Sequence, residues 1–300
     1  MNEQPIEENP LFEAMLEKAA AKKSFINPQV LRTTIIEGTR KMAEMLNRAT
    51  IHFPDYTLHN ERHALRVAFL MHRLLPAEAL AAVNVIDCAL LILSAYAHDL
   101  GMAIGKARKA ELLASDAYQP FLLSHDREWQ QAERAKEEGR IAEYQSLHDR
   151  LFQDFLRGSH HLESEKIVAK DLRAELSVQG HSLADPVAKL SRSHGEDLQF
   201  VMTLDNFLFA SAFECDLAFL GCVLRLADYL DLDPDRAPDT LFSLIKPATF
   251  WSSPPRSRSR RISKTSSTRK LSATPCEGSK RSGARAWNSS PRGASSNPRR

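Results

Sequence analysis

The most informative part of the sequence is LLILSAYAHDLGMAIG, residues 90–105. A nearly unbroken run of apolar and small side chains ends there at His98 and Asp99. Such a run predicts a helix at the centre of a hydrophobic core. Because an imidazole and a carboxylate are costly to keep beside a core unless they are paired, the two residues need a partner elsewhere in the chain.

The composition and the periodicity of the 300 residues favour helices. Leu, Ala, Glu and Arg dominate, glycines number only 11, and no segment shows the strict alternation of a strand. Asn27 and Pro28 are typical of a helix start, because they supply an N-cap and a first residue with a preset φ. We therefore predict an all-α fold. The predicted helices begin at Pro28 and then cover about 60–75, 79–98, 163–176 and 207–231.

The net charge of +2 hides two very different segments. Residues 247–300 contain 13 Lys and Arg, 14 Ser and one acid, whereas residues 1–246 carry a net charge of −10. The basic segment has no apolar periodicity and is predicted to be disordered. It is either a tail that binds nucleic acid or, as we favour, out-of-frame sequence. The remainder divides into an N-terminal extension (1–27) and a helical domain (28–246) that includes a charged helical insertion (106–157).

Several features indicate a cytoplasmic protein that does not enter a membrane. The four cysteines show no paired spacing, which favours reduced thiols. The N-terminus is acidic and polar, unlike a signal peptide. Residues 79–97 are the one candidate for a membrane span, but Asn84, Asp87 and Ser94 interrupt them. We predict that this segment is a core helix.

Ionisable side chains recur on the apolar faces of four predicted helices. His63 has apolar residues at i+4 and i+7, and His194 and Asp228 likewise extend apolar stripes. A single buried histidine is usually satisfied by a hydrogen bond. Several such groups on different helices, together with His98 and Asp99, favour a shared divalent cation, which binds neutral imidazoles and carboxylates together. Mixed ligands of this kind suit Mn, Fe, Co, Ni or Zn.

The spacing of these residues resembles the HD superfamily of metal-dependent phosphohydrolases, whose signature is H…HD…D on a helical bundle. The matching motifs are HALRV with His63, AYAHDLGM with His98 and Asp99, and LRLADYLDLD with Asp228. The resemblance covers about residues 50–240. It implies an HD-type helical bundle and a primary metal site formed by these four residues, with His98 and Asp99 also catalytic.

The resemblance also suggests a second ion and a substrate site. His194 with His160 or His161 would hold the second ion; which of the two neighbours points inward, and whether one or two ions bind, stays open. Asp231 is expected to orient a ligand. Met102 stands where several relatives place a lysine, so Lys106 or Arg157 is expected to bind substrate phosphate. His59 either orients a metal ligand, contacts substrate or faces solvent at a helix start.

The expected function is hydrolysis of a phosphoester or phosphoanhydride in a phosphorylated small molecule or a nucleic acid. A Gly-Tyr-Pro motif after the helical core is missing, which disfavours a cyclic di-GMP phosphodiesterase. The motifs look most like a bacterial subgroup in which the HD domain precedes an Hsp90-like ATPase module, which this chain would lack. Two alternatives are a metal-loaded or degenerate sensor module for such an ATPase, and a nucleic-acid-binding protein that uses the basic segment.

Overall fold

Helix α5, Val85–Ala97, lies at the centre of the fold, and all 13 of its residues are buried. The computed structural model describes residues 5–21, 24–47 and 61–231. Within these ranges the predicted all-α class is confirmed, with two small hairpins added. In chain order the α-helices are α1 (Pro10–Ala19), α2 (Pro28–Leu46), α3 (Glu61–Leu74), α4 (Ala77–Ala82), α5, α6 (Lys106–Leu113), α7 (Tyr118–Ser124), α8 (Asp126–Glu137), α9 (Ile141–Asp171), α10 (Ala184–Ser193), α11 (Leu198–Met202) and α12 (Leu217–Leu230).

The main core forms where α1, α2, α3, α10 and α12 pack against α5. Helix α1 contributes Leu11, Phe12 and Met15, which are almost completely buried. Residues 6–19 of the predicted N-terminal extension are therefore part of the main core. The N-cap predicted at Asn27 is confirmed, since its side chain accepts hydrogen bonds from two backbone amides of the first turn of α2.

The helix predicted over 79–98 is in fact two helices, α4 and α5. Asn84 separates them, because its side chain accepts hydrogen bonds from the amides of Ile86 and Asp87 while the Asp87 carboxylate accepts one from the Asn84 amide. This reciprocal pair is a capping box, which fixes the start of α5. The apolar run Val85–Ala103 is long enough to cross a membrane, but an 18-residue stretch of it is completely buried inside the protein.

Helix α9 is a single 31-residue helix, whereas a helix start was predicted near Glu163. The boundary predicted at residue 157 therefore falls in the middle of a helix. The N-terminal half of α9 packs against α6, α7 and α8 around a second, smaller core. Buried members of this core include Met102, Tyr118, Leu122, Phe152 and Leu156.

Two antiparallel hairpins depart from the purely helical prediction. Strands β1 (Ser177–Val178) and β2 (His181–Ser182) form one, and β3 (Phe207–Phe209) and β4 (Phe213–Cys215) form the other. Strands of two or three residues are too short to show alternation, which explains why the sequence pattern missed them. The helix predicted from residue 207 begins instead at Leu217, where the Asp216 side chain accepts a hydrogen bond from Phe219 N.

Candidate metal centre

Four side chains from three helices converge on one buried point. His63 lies in the first turn of α3, His98 and Asp99 follow the last residue of α5, and Asp228 lies in the last turn of α12. His63 Nε2 is 3.2 Å from His98 Nε2, 3.4 Å from Asp99 Oδ2 and 3.3 Å from Asp228 Oδ1. His98 Nε2 is 3.1 Å from Asp99 Oδ2 and 3.7 Å from Asp228 Oδ1. Neighbouring ligands of an ion with bonds of about 2.1 Å are separated by roughly 3.0–3.4 Å, so the four atoms are suitably spaced.

A second group of donors adjoins the first through the other oxygen of Asp99. Asp99 Oδ1 is 3.3 Å from His160 Nε2 and 3.8 Å from His194 Nε2. The two histidine nitrogens are 2.9 Å apart. Each group alone has the spacing of a metal site. Because its two oxygens face different groups, the Asp99 carboxylate could bridge two ions.

All four imidazoles of the two groups are oriented in the same way. Each ring uses Nδ1 to donate a hydrogen bond to an oxygen outside the cluster, which leaves Nε2 facing inward. His98 donates to the Ala95 carbonyl at 2.9 Å, His160 donates to the Arg157 carbonyl at 2.7 Å, and His194 donates to the Ser191 carbonyl. In a neutral ring, such a hydrogen bond fixes the tautomer that presents a lone pair to a metal.

The orientation of His63 depends on a buried ion pair. His63 Nδ1 is 2.6 Å from Asp231 Oδ2, and Arg66 donates two hydrogen bonds to the same carboxylate, at 2.9 and 3.1 Å. The Asp231 side chain is buried. Sequence reasoning proposed Asp231 as an orienting residue but missed Arg66. The signal was available, because Arg66 follows His63 by three residues on the same helix and so lies near its face.

The electrostatics of the cluster differ between its two halves. Burial opposes a charge on His98, but the carboxylates of Asp99 and Asp228 outweigh burial and raise the pKa of His98 well above its usual value. Burial likewise opposes charge on Asp228, yet hydrogen bonds from His63 and His98 hold the pKa of Asp228 well below its usual value. In the other half, burial and the neighbouring histidines lower the pKa of His194 to about 3.

His161 is outside the cluster, although it was predicted with His160 as a candidate ligand. Its Nε2 lies 3.7 Å from Glu196 Oε1, and its ring centroid is 6.3 Å from that of His194. Burial lowers the pKa of this ring. Gly195 packs so closely against it that a Cβ there would lie 2.4 Å from His161 Cγ. The structure therefore brings His160, and not His161, to the second group.

The side chains of the predicted substrate-binding residues are not among the donors of the cluster in the described part of the chain. Lys106 is exposed at the first residue of α6, and within the described part of the chain it makes no hydrogen bond or ion pair. Arg157 lies one turn before His160 on α9 and is half-buried; its backbone carbonyl orients that histidine. His59 lies outside the described residues.

A cleft of about 430 Å³ opens onto the cluster where Asp228 and His194 meet it. The Asp228 side chain is 30 % exposed, whereas the His63 side chain is 1 % exposed, so Asp228 marks the mouth of the site. Sequence reasoning did not find this cleft, because its remaining lining comes from ordinary residues of α11 and α12. These residues are Leu198, Cys222, Arg225, Leu226 and Tyr229.

The donors fit one or two divalent transition-metal ions. With each Nδ1 donating to a backbone carbonyl, neutral forms of His160 and His194 would bring two Nε2 lone pairs within 2.9 Å of each other. A cation between the rings and the carboxylates would satisfy every one of these atoms. Three or four nitrogen and oxygen donors in each group, without a thiolate, suit the borderline metals that bind imidazole and carboxylate.

Comparison with known proteins identifies a family for this chain. No curated protein and no solved structure shows significant similarity to the chain. The sequence profile of the HD-CE family matches residues 53–285, which is more than three quarters of the chain. This range contains every donor of the cluster. It also extends past residue 247 into the basic segment, whose out-of-frame interpretation stays a prediction. On this match, the chain belongs to the HD-CE family.

Proposed function

We propose that the protein is a metal-dependent phosphohydrolase that cleaves a phosphoester or phosphoanhydride bond, with a nucleotide or nucleic acid as the substrate class. The observation that carries the proposal is the shared carboxylate of Asp99, whose two oxygens face two groups of inward-pointing histidines. A divalent ion bound there would lower the pKa of a water molecule and neutralise charge on a phosphoryl oxygen.

The chain's own residues have separate roles in this proposal. His63, His98 and Asp228 would hold one ion, His160 and His194 the other, and Asp99 both. Hydrogen bonds behind the rings keep each Nε2 atom aimed inward, so that little reorganisation is needed when ligands bind. Burial of His63 and His98 closes one side of the cluster to solvent. We therefore expect substrate to approach from the Asp228 side, through the cleft.

The complete set of donors supports an enzyme over a degenerate sensor. A sensor that had lost activity would be free to lose its metal-ligating residues. Here, each inward histidine directs its Nε2 into the cluster and has a hydrogen bond at Nδ1 that orients the ring. Association with an Hsp90-like ATPase module remains part of our proposal, and its support is the motif resemblance alone.

The test combines metal analysis with hydrolysis assays. The purified full chain is loaded separately with Mn, Fe, Co, Ni and Zn, and phosphate release is measured on nucleotides, cyclic dinucleotides and single-stranded DNA. We expect metal-dependent hydrolysis that Asp99→Asn lowers by at least a hundredfold. The matched control is Asp149→Asn, an exposed carboxylate on α9 that pairs with Lys109.

Two results would contradict the proposal. Activity that survives Asp99→Asn would show that the cluster is not the catalytic site. Tight metal binding without hydrolysis of any substrate in the panel would favour the sensor module instead.

A further inference from the structure

The cleft beside the cluster has an apolar wall that is unusually exposed. Tyr229 is 79 % exposed, Leu198 is 59 % exposed and Leu226 is 48 % exposed, and all three line the same cleft as Asp228 and His194. Apolar and aromatic side chains that gather at the mouth of a polar site are typical of a ligand-binding surface. The wall is thus placed to contact the part of a substrate that lies next to the reacting phosphate.

A single guanidinium in the same cleft is held in a fixed position. Arg225 Nη1 donates to the backbone carbonyls of Ser193, His194 and Glu196, where α10 has just ended; the His194 contact is 3.2 Å long. Within the described residues, its Nε and Nη2 atoms have no acceptor. A guanidinium anchored by one nitrogen, with two further donor atoms and in the same cleft as Asp228, is suited to a phosphate oxygen.

The charge and size of the cleft favour a small ligand over a polymer. Arg225 is the one cationic side chain among its described lining residues, whereas proteins that bind nucleic acid use several cations along the phosphate backbone. A volume of about 430 Å³ lies in the range of small-molecule sites. The net charge of −10 on residues 1–246 also opposes a long polyanion.

We propose that this cleft is a nucleotide subsite. The base of a nucleoside phosphate stacks on Tyr229 and packs against Leu198 and Leu226, while the phosphate at its other end meets Arg225 beside Asp228. This inference rests on the proposed phosphohydrolase activity and narrows its substrate to a single nucleotide unit. Stacking on an exposed aromatic ring accepts any base, because every base has a π face.

The test compares ligands that share a phosphate and differ in the base. Binding of the four nucleoside 5′-monophosphates and of ribose 5-phosphate to the metal-loaded full chain is measured by calorimetry. We expect the best nucleotide to bind roughly tenfold more tightly than ribose 5-phosphate. Tyr229→Ala should abolish this advantage and Tyr229→Phe should retain it. Arg225→Lys should weaken the binding of the nucleotide and of ribose 5-phosphate by the same factor, roughly tenfold.

Cys222 gives an independent readout, because it lines the cleft and is half-buried. The alkylation rate of its peptide is followed by mass spectrometry. The nucleotide should slow alkylation in the wild type and in Leu208→Ala, a control that removes an exposed leucine from β3, outside the cleft. In Tyr229→Ala the protection should be lost.

The subsite is rejected if nucleotides bind no more tightly than ribose 5-phosphate, or if their advantage survives Tyr229→Ala. The Asp99→Asn hydrolysis assay tests the parent activity separately. A protein that hydrolyses phosphoesters but does not distinguish nucleotides from ribose 5-phosphate would therefore overturn the subsite alone.

Discussion

His63 Nδ1 lies 2.6 Å from the Asp231 carboxylate, a contact that joins the first turn of α3 to the residue just after α12. Arg66 holds the same carboxylate by two hydrogen bonds, so Asp231 has little freedom to move. Hydrogen bonds from His63 and Arg66 outweigh burial and keep the pKa of Asp231 far below its usual value, which means that it is ionised at neutral pH. An anion behind the ring makes its Nε2 a stronger donor to a metal.

Asp231→Asn should therefore weaken the binding of one metal ion and leave the binding of the other unchanged. His63 belongs to the group that contains His98 and Asp228, so we expect metal affinity at this group to fall by about 10- to 100-fold. The group of Asp99, His160 and His194 should keep its affinity. Competition with a chelator of known affinity measures the metal affinity of both groups.

The control for this change is Asp185→Asn, which removes an exposed carboxylate paired with Arg173 on the protein surface. Equal loss of both ions would indicate general disruption of the fold. Unchanged metal affinity at both groups would show that Asp231 has no orienting role.

The candidate metal ligands were easier to recognise in the sequence than the residues that hold them in place. His63 and Asp228 stand out because a polar residue on an apolar helical stripe is costly without a partner. Arg66 and Arg225 do not stand out, since charged residues at helix surfaces are common and only the folded contacts distinguish them. Sequence spacing also left His160 and His161 unresolved. Adjacent residues on a helix differ by about 100° in direction, and the inward direction depends on how α9 packs.

The fold class followed from composition, whereas several element boundaries did not. Helix α9 runs through residue 157 without a break, because Gly158 keeps a helical backbone instead of the positive φ of a glycine that ends a helix. The division of the 79–98 segment was visible in the pairing of Asn84 with Asp87, a capping-box pattern that the strong apolar run obscured. The hairpins depend on tertiary contacts rather than on local pattern.

The adjacent histidines on α9 offer a matched pair of substitutions. His160→Ala removes a donor of the second group, so metal content should fall from two ions per chain to one. His161→Ala removes a ring that contacts Glu196 instead, so the metal content should not change. Elemental analysis after dialysis gives the stoichiometry. The assignment fails if the His161 variant loses an ion or if the His160 variant keeps two.

Metal binding at the first group should release a proton. The pKa of His98 is raised well above 6.5, so the metal-free ring is protonated at pH 7 and must lose its proton to become a ligand. Asp228 contributes none, because its lowered pKa leaves it already ionised. His194, with a pKa of about 3, is neutral at pH 7 and also releases none. We therefore expect at least one proton, that of His98, to leave the first group, and weaker binding there as the pH falls.

Calorimetry in buffers of different ionisation enthalpy measures this proton directly. A His194→Ala variant isolates the first group, since it removes a donor of the second. The slope of the observed binding enthalpy against the buffer ionisation enthalpy should correspond to at least one proton per ion. A slope near zero would mean that His98 is neutral before the metal binds.

The close approach of the turn after Asp99 to α9 depends on Gly101. A Cβ at this position would lie 1.9 Å from the His160 carbonyl oxygen. The backbone amide of Gly101 also donates to Ser164 Oγ at 2.8 Å, and Ser164 donates to the His98 carbonyl at 2.6 Å. Gly101→Ala must therefore push α9 away from the residues that carry His98 and Asp99. We expect a loss of about 2 kcal/mol or more in the free energy of unfolding, measured with urea.

Gly105→Ala is the matched control, because it lies four residues further along the same segment and a Cβ there meets nothing within 4 Å. Its φ of −83° suits alanine, but it is the N-cap of α6, where glycine is preferred to alanine, so the free energy of unfolding should change by no more than about 1 kcal/mol. The metal content of the variants distinguishes a loss of stability from a displacement of the metal ligands. Because His160 moves with α9, Gly101→Ala should lose the ion held by the second group even under conditions where the variant remains folded. If Gly101→Ala retains both ions and wild-type stability, the contact between this turn and α9 does not position the two halves of the cluster.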